Sequence, residues 1–143
     1  MKILLSYLSY GGNTEEVADL IEMHLLNDGH EVTKYRVGTG SIPDPRDFDI
    51  FVVGSFTYHK GDTPEEMKDF VYDIGYKPPH VYVFGTGDTQ FGGDELFCRA
   101  AERLARFYES PYPPLKIEQS PRGSQEPLIK EWTEGVLRQC LVF

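Results

Sequence analysis

Ser9-Tyr10-Gly11-Gly12-Asn13-Thr14 sets three short polar side chains and two adjacent glycines within six residues. Side chains of this kind hold a phosphate when a strand precedes them and a helix follows. The first turn of a helix has backbone N–H groups with no partner inside the helix, and the helix dipole adds positive potential there. Ser9, Asn13 and Thr14 add hydrogen-bonding groups, and Gly11 and Gly12 let the backbone close around an anion. The loop contains no Lys or Arg and lacks the spacing of a P-loop, so NTP hydrolysis is a poor fit. A purely structural alternative also suits these residues: Asn13 or Thr14 as a helix N-cap with Glu16 in the first turn, and Gly-Gly-Asn as a tight turn.

Two further stretches have loop chemistry of the same kind. Phe56 to Thr63 is polar and aromatic, and Gly85 to Gly93 is rich in glycine. Each follows an apolar run, Ile50-Phe51-Val52-Val53 in one case and His80 to Phe84 in the other.

The elements that would position these loops alternate between strand and helix patterns, the signature of a parallel α/β sheet. Strands are expected at Lys2 to Leu8, Glu31 to Val37, Asp49 to Ser55, His80 to Phe84 and Leu115 to Glu118. The first helix is expected from Asn13 to Asn27, with Val17, Leu20, Ile21 and Leu25 at helical spacing and Asp28-Gly29 as its stop. The second opens at Pro64-Glu65-Glu66-Met67 and ends before Pro78-Pro79. The third is expected from Asp94 to Tyr108, burying Leu96, Phe97, Ala100, Leu104 and Phe107. The last runs from Pro127 to Gln139, burying Leu128, Trp132, Val136 and Leu137. In a doubly wound sheet, ligands sit at the C-terminal ends of the strands. The loops after strands one, three and four all lie at that end.

The chain has 143 residues, which suits one domain with a real core. Its formal net charge of −9 argues against nucleic acid and fits a protein steered towards basic patches on partners. Nine Tyr, nine Phe and one Trp are enough rings to supply a ligand surface as well as a core. Cys98 and Cys140 stand in no CxxC or metal-type pattern, as expected of reduced thiols in the cytoplasm. No signal peptide and no membrane span are expected.

Taken together, the three loops resemble those of the flavodoxin family. Ser9 to Glu15 is similar to its phosphate loop. Gly54-Ser55-Phe56-Thr57-Tyr58-His59-Lys60-Gly61-Asp62-Thr63-Pro64 is similar to its second loop, and Gly85-Thr86-Gly87-Asp88-Thr89 followed by Phe97-Cys98 to its third. The resemblance implies a flavodoxin-like three-layer sandwich spanning residues 1–143. It has a five-stranded parallel sheet in the order 2-1-3-4-5, with helices on both faces. It also implies non-covalent FMN and low-potential electron transfer in the cytoplasm. A flavodoxin reductase and an acceptor enzyme would be the partners of a monomer.

Carried over by position, Ser9, Tyr10, Gly11, Gly12, Asn13 and Thr14 would hold the phosphate. Ser55, Phe56 and Thr57 would pass the ribityl chain and ring edge, and Tyr58 would stack on one ring face. His59, Lys60 and Gly61 complete that loop. Gly87 and Asp88 would place backbone groups against the pyrimidine edge, Thr86 beside them would also bind the cofactor, and Phe91 is the candidate second aromatic cover.

Three departures qualify the resemblance. Gly11 stands where the family has a hydroxyl residue, so one phosphate hydrogen bond is expected to be missing or supplied by backbone. His59-Lys60 replaces a Gly-Asp pair. A β-carbon at His59 makes a peptide flip costlier, which implies weaker stabilisation of half-reduced flavin. A cation at Lys60 is expected to raise the second-electron potential. The third departure, Phe91-Gly92, resembles the flavodoxin-like activator of manganese-type ribonucleotide reductase (the NrdI family), which stands as an alternative. In that case ribonucleotide reductase would be the partner. A flavin-free signalling module is a further alternative. It would need a phosphorylatable Asp at the end of strand three, where this chain has Gly54-Ser55-Phe56.

Overall fold

The computed structural model describes residues 1–57, 61–88, 97–119 and 121–140. Five strands, β1 (Lys2–Tyr7), β2 (Glu31–Arg36), β3 (Ile50–Phe56), β4 (Val81–Gly87) and β5 (Leu115–Glu118), form one sheet in the order β2-β1-β3-β4-β5. Every neighbouring pair is parallel. The helices are α1 (Asn13–Asn27), α2 (Glu65–Ile74), α3 (Arg99–Phe107) and α4 (Gln125–Cys140), with a short 3-10 turn at Pro45–Asp47. No described helix is long and apolar enough to cross a membrane.

Successive strand residues point to opposite faces, so each central strand feeds two cores. Ile3, Leu5, Ile50, Val52, Tyr82 and Phe84 pack with Val17, Ile21 and Leu25 of α1 and Ile129, Trp132 and Val136 of α4. Leu4, Leu8, Phe51, Val53, Val81 and Val83 pack with Met67 and Phe70 of α2 and Ala101 and Leu104 of α3. The result is a doubly wound, three-layer flavodoxin-like sandwich, in agreement with the sequence reading.

Helix α1 has the expected bounds, and its buried stripe includes Ala18 while Leu20 is only partly buried. Its end is a left-handed turn: Gly29 has φ +84°, and His30 N–H donates to the Leu25 carbonyl at 3.2 Å.

Four expectations need correction. Gly85, Thr86 and Gly87 belong to β4 rather than to a loop. They look like turn residues in sequence, but their smallness serves packing. A Cβ at Gly85 would stand 2.7 Å from the Ala101 Cβ, and one at Gly87 would stand 2.9 Å from the Cys98 backbone N. Phe97 and Cys98 form a turn, and α3 begins at Arg99, with Asp94 to Leu96 outside the described residues. Phe107 is half-exposed, and Tyr108 turns inward in its place, edge-on to Phe51. Leu128 is half-exposed, because the period of α4 runs through Ile129, Trp132, Thr133 and Val136.

Cys98 and Cys140 are free and buried, and burial pushes the Cys98 thiol up to about 12.

Candidate functional site

The candidate site lies at the C-terminal ends of β1, β3 and β4, from which three connecting segments leave. Its base is fixed by the strands themselves. Leu8 N–H donates to the Gly54 carbonyl at 3.0 Å, and Val37 N–H donates to the Tyr7 carbonyl at 2.8 Å. Beyond that base, the chain from Ser9 to Gly12 turns into α1.

This turn has the features that an anion cradle needs. Gly12 occupies the N-cap position of α1 with φ +93°, and among the described residues no side chain caps the helix. Neither Asn13 nor Thr14 takes the N-cap role that the structural alternative would give it. Asn13 is already the first helical residue, and the Thr14 hydroxyl lies 2.8 Å from the Thr86 hydroxyl. The N–H groups of the first turn therefore face the loop with the positive end of the helix dipole behind them. A Cβ built at Gly11 or Gly12 would find nothing within 4 Å, so the cradle is open. Gly12 N–H donates to Ser9 Oγ at 3.1 Å, which leaves the Ser9 hydroxyl proton to donate onward.

The other described residues assemble around the cradle in different ways. Tyr10 is 56 % exposed, and its ring leans on Phe56 with centroids 4.8 Å apart, forming an aromatic wall. Ser55 is buried, and its hydroxyl donates to the Phe56 carbonyl at 2.8 Å. Thr57 N–H donates to the Thr86 carbonyl at 3.2 Å, while the Thr57 hydroxyl accepts from Ala100 N–H at 3.0 Å in the first turn of α3. Gly61 is buried with φ +80°. Asp88 accepts from Gln119 Nε2 at 3.1 Å, and Gln119 N–H donates to the Gly87 carbonyl at 2.8 Å. Tyr58, His59, Lys60 and Phe91, the two candidate ring covers among them, lie outside the described residues.

Two contributors, Gln119 and Arg36, and a second role for Thr57 escaped the sequence reading. Thr57 caps α3, and Gln119 ties the end of β5 to Asp88. Arg36, at the end of β2, donates through Nη2 to the Ser9 carbonyl at 3.0 Å and through Nη1 to Glu15 Oε2 at 3.3 Å. The available signal was topological. With β2 beside β1, the last residue of β2 must stand against the loop that leaves β1.

The flavodoxin family model matches residues 5–110, a span that contains the Ser9–Thr14 turn and the ends of β3 and β4. The chain belongs to the flavodoxin family. Probable flavodoxin 2 of Bacillus subtilis is 37 % identical over 136 residues, covering 87 % of each chain. Oxidised Flavodoxin 2 from Bacillus cereus superposes with a TM-score of 0.80 at 31 % identity, covering 97 % of this chain and 99 % of that one. A short-chain flavodoxin associated with a non-canonical PDU bacterial microcompartment superposes with a TM-score of 0.87 at 26 % identity, covering 98 % and 99 %. Flavodoxins bind FMN and carry electrons; in this flavodoxin α1 starts at Gly12 behind an open Gly-Gly turn. These likenesses lend no support to the ribonucleotide reductase activator.

Proposed function

We propose that this flavodoxin is a monomeric, single-domain cytoplasmic shuttle that takes electrons from a flavodoxin reductase and passes them to an acceptor protein. The observation that carries this reading is the open, uncapped N-terminus of α1 at the C-terminal edge of the sheet. When bound, FMN supplies reversible one-electron chemistry.

The chain's own residues bind, orient and shield the cofactor. Ser9 to Thr14 hold the phosphate with hydroxyl and backbone donors, and the α1 dipole offsets its charge. Buried Thr14 and Thr86 brace each other across the cradle, so the phosphate end and the ring end keep a fixed separation. The aromatic wall of Tyr10 and Phe56 excludes water from the middle of the site. Ser55 to Thr57 pass the ribityl chain, and Gly87 and Asp88 present polar groups to the pyrimidine edge. Tyr58 and Phe91 supply the two ring covers.

Docking is electrostatic. Glu16 on α1 and Asp62, Glu65 and Glu66 after β3 are exposed around this edge of the sheet. In a chain of net charge −9 they select partners with basic patches.

Visible absorption of the purified protein during stepwise anaerobic reduction tests the reading. The expected result is a yellow protein that bleaches reversibly and releases FMN on denaturation. A colourless protein that takes up no added FMN would overturn it.

A further inference from the structure

The phosphate loop itself contains no cation, and Glu15 stands in the first turn of α1, where its charge opposes a bound phosphate. From the geometry of β2 and α1 we infer that Arg36 is the cation of this loop, a positioning residue that pins Ser9 and offsets Glu15. The inference rests on the phosphate assignment above.

Two contacts carry it. Arg36 Nη2 lies 3.0 Å from the Ser9 carbonyl oxygen, a charge-assisted bond to backbone at the first residue of the turn. Ser9 is 2 % exposed, and its hydroxyl accepts from Gly12 N–H, so holding Ser9 holds the residue that opens α1. Arg36 Nη1 lies 3.3 Å from Glu15 Oε2, and the Tyr7 hydroxyl donates to the same oxygen at 3.3 Å. Both donors draw the carboxylate towards β2, and the Arg36 charge offsets it there. Burial, with help from Glu15, raises the pKa of Tyr7, so its hydroxyl keeps its proton.

Two residues earlier on β2, Lys34 pairs with Asp19 at 2.5 Å and Glu22 at 3.3 Å. It is the same kind of cross-element ion pair, but it is directed at the middle of α1 and, among the described residues, makes no bond to the loop. Lys34 is therefore the internal control. If any cation on β2 sufficed, the two would be equivalent.

The test is titration of flavin-free protein with FMN and, separately, with riboflavin, which lacks the phosphate. Arg36→Gln is expected to weaken FMN about 10-fold and leave riboflavin unchanged, while Lys34→Gln changes neither. Arg36→Lys keeps the charge but loses the two-pronged fork, and is expected to fall between wild type and Arg36→Gln. Circular dichroism melting of each variant shows whether it is folded. The inference is overturned if Arg36→Gln keeps the wild-type FMN-to-riboflavin ratio, or if Lys34→Gln lowers that ratio equally. Wild-type protein that binds both flavins alike would overturn the phosphate assignment instead.

Discussion

Helices α1 and α3 both start at the C-terminal edge of the sheet close to glycines, and they use them oppositely. At α1, the glycines are surrounded by open space, and among the described residues no side chain caps the helix. At α3, the glycines lie inside β4 with the helix packed against them, and the Thr57 hydroxyl accepts from the first turn. Among the described residues, the α1 turn leaves its first-turn donors without a side-chain acceptor, and the α3 turn has one of them satisfied by Thr57. A glycine near a helix start is thus no sign of a binding loop by itself. What separates the two is whether a β-carbon would meet solvent or a neighbouring element.

The sharpest way to break this contrast is to fill both kinds of glycine. Gly85→Val drives side-chain atoms towards Ala101 and the Ser55 carbonyl, and is expected to cost about 3 kcal/mol in urea unfolding of flavin-free protein. A loss below about 1 kcal/mol would show that α3 yields easily and would weaken the packing account. Thr57→Val removes the α3 cap and leaves Ala100 N–H without it, with an expected loss of about 1 kcal/mol in the same assay. An unchanged midpoint would return the Thr57 hydroxyl to a purely ligand-facing role. Gly11→Thr supplies the hydroxyl that the family has there. Gly11 does not have a positive φ, and its surroundings are open. Unfolding stability is therefore expected to stay within about 0.5 kcal/mol. FMN binding is expected to tighten about 5-fold through one added hydrogen bond, as read by flavin fluorescence quenching. No gain in affinity would mean that backbone already fills that position.

Most of the scaffold could be read from the sequence because its signals are local. The apolar runs of β1 and β3 and the spacing of Val17, Ile21 and Leu25 gave elements within a residue or two of those observed. The errors arose where a long-range contact overrides local chemistry. Gly85-Thr86-Gly87 resembles a turn until Cys98 and Ala101 are seen pressing on it. Phe107 fits the α3 stripe, but the helix ends there and Tyr108 takes the core position against Phe51. In the site, the cradle from Ser9 to Thr14 was legible because a strand, glycines and a helix start adjoin in sequence. Arg36 was not, since its link to Ser9 spans 27 residues and depends on strand order.

The central claim is that the start of α1 holds a phosphate. The most direct test is calorimetric titration of flavin-free wild-type protein with FMN and with riboflavin under the same salt conditions. Several charge-assisted hydrogen bonds to the phosphate are expected to make FMN at least about 100-fold tighter. Equal affinities for the two flavins would contradict the claim and leave the Gly11-Gly12 turn as a helix start without a ligand.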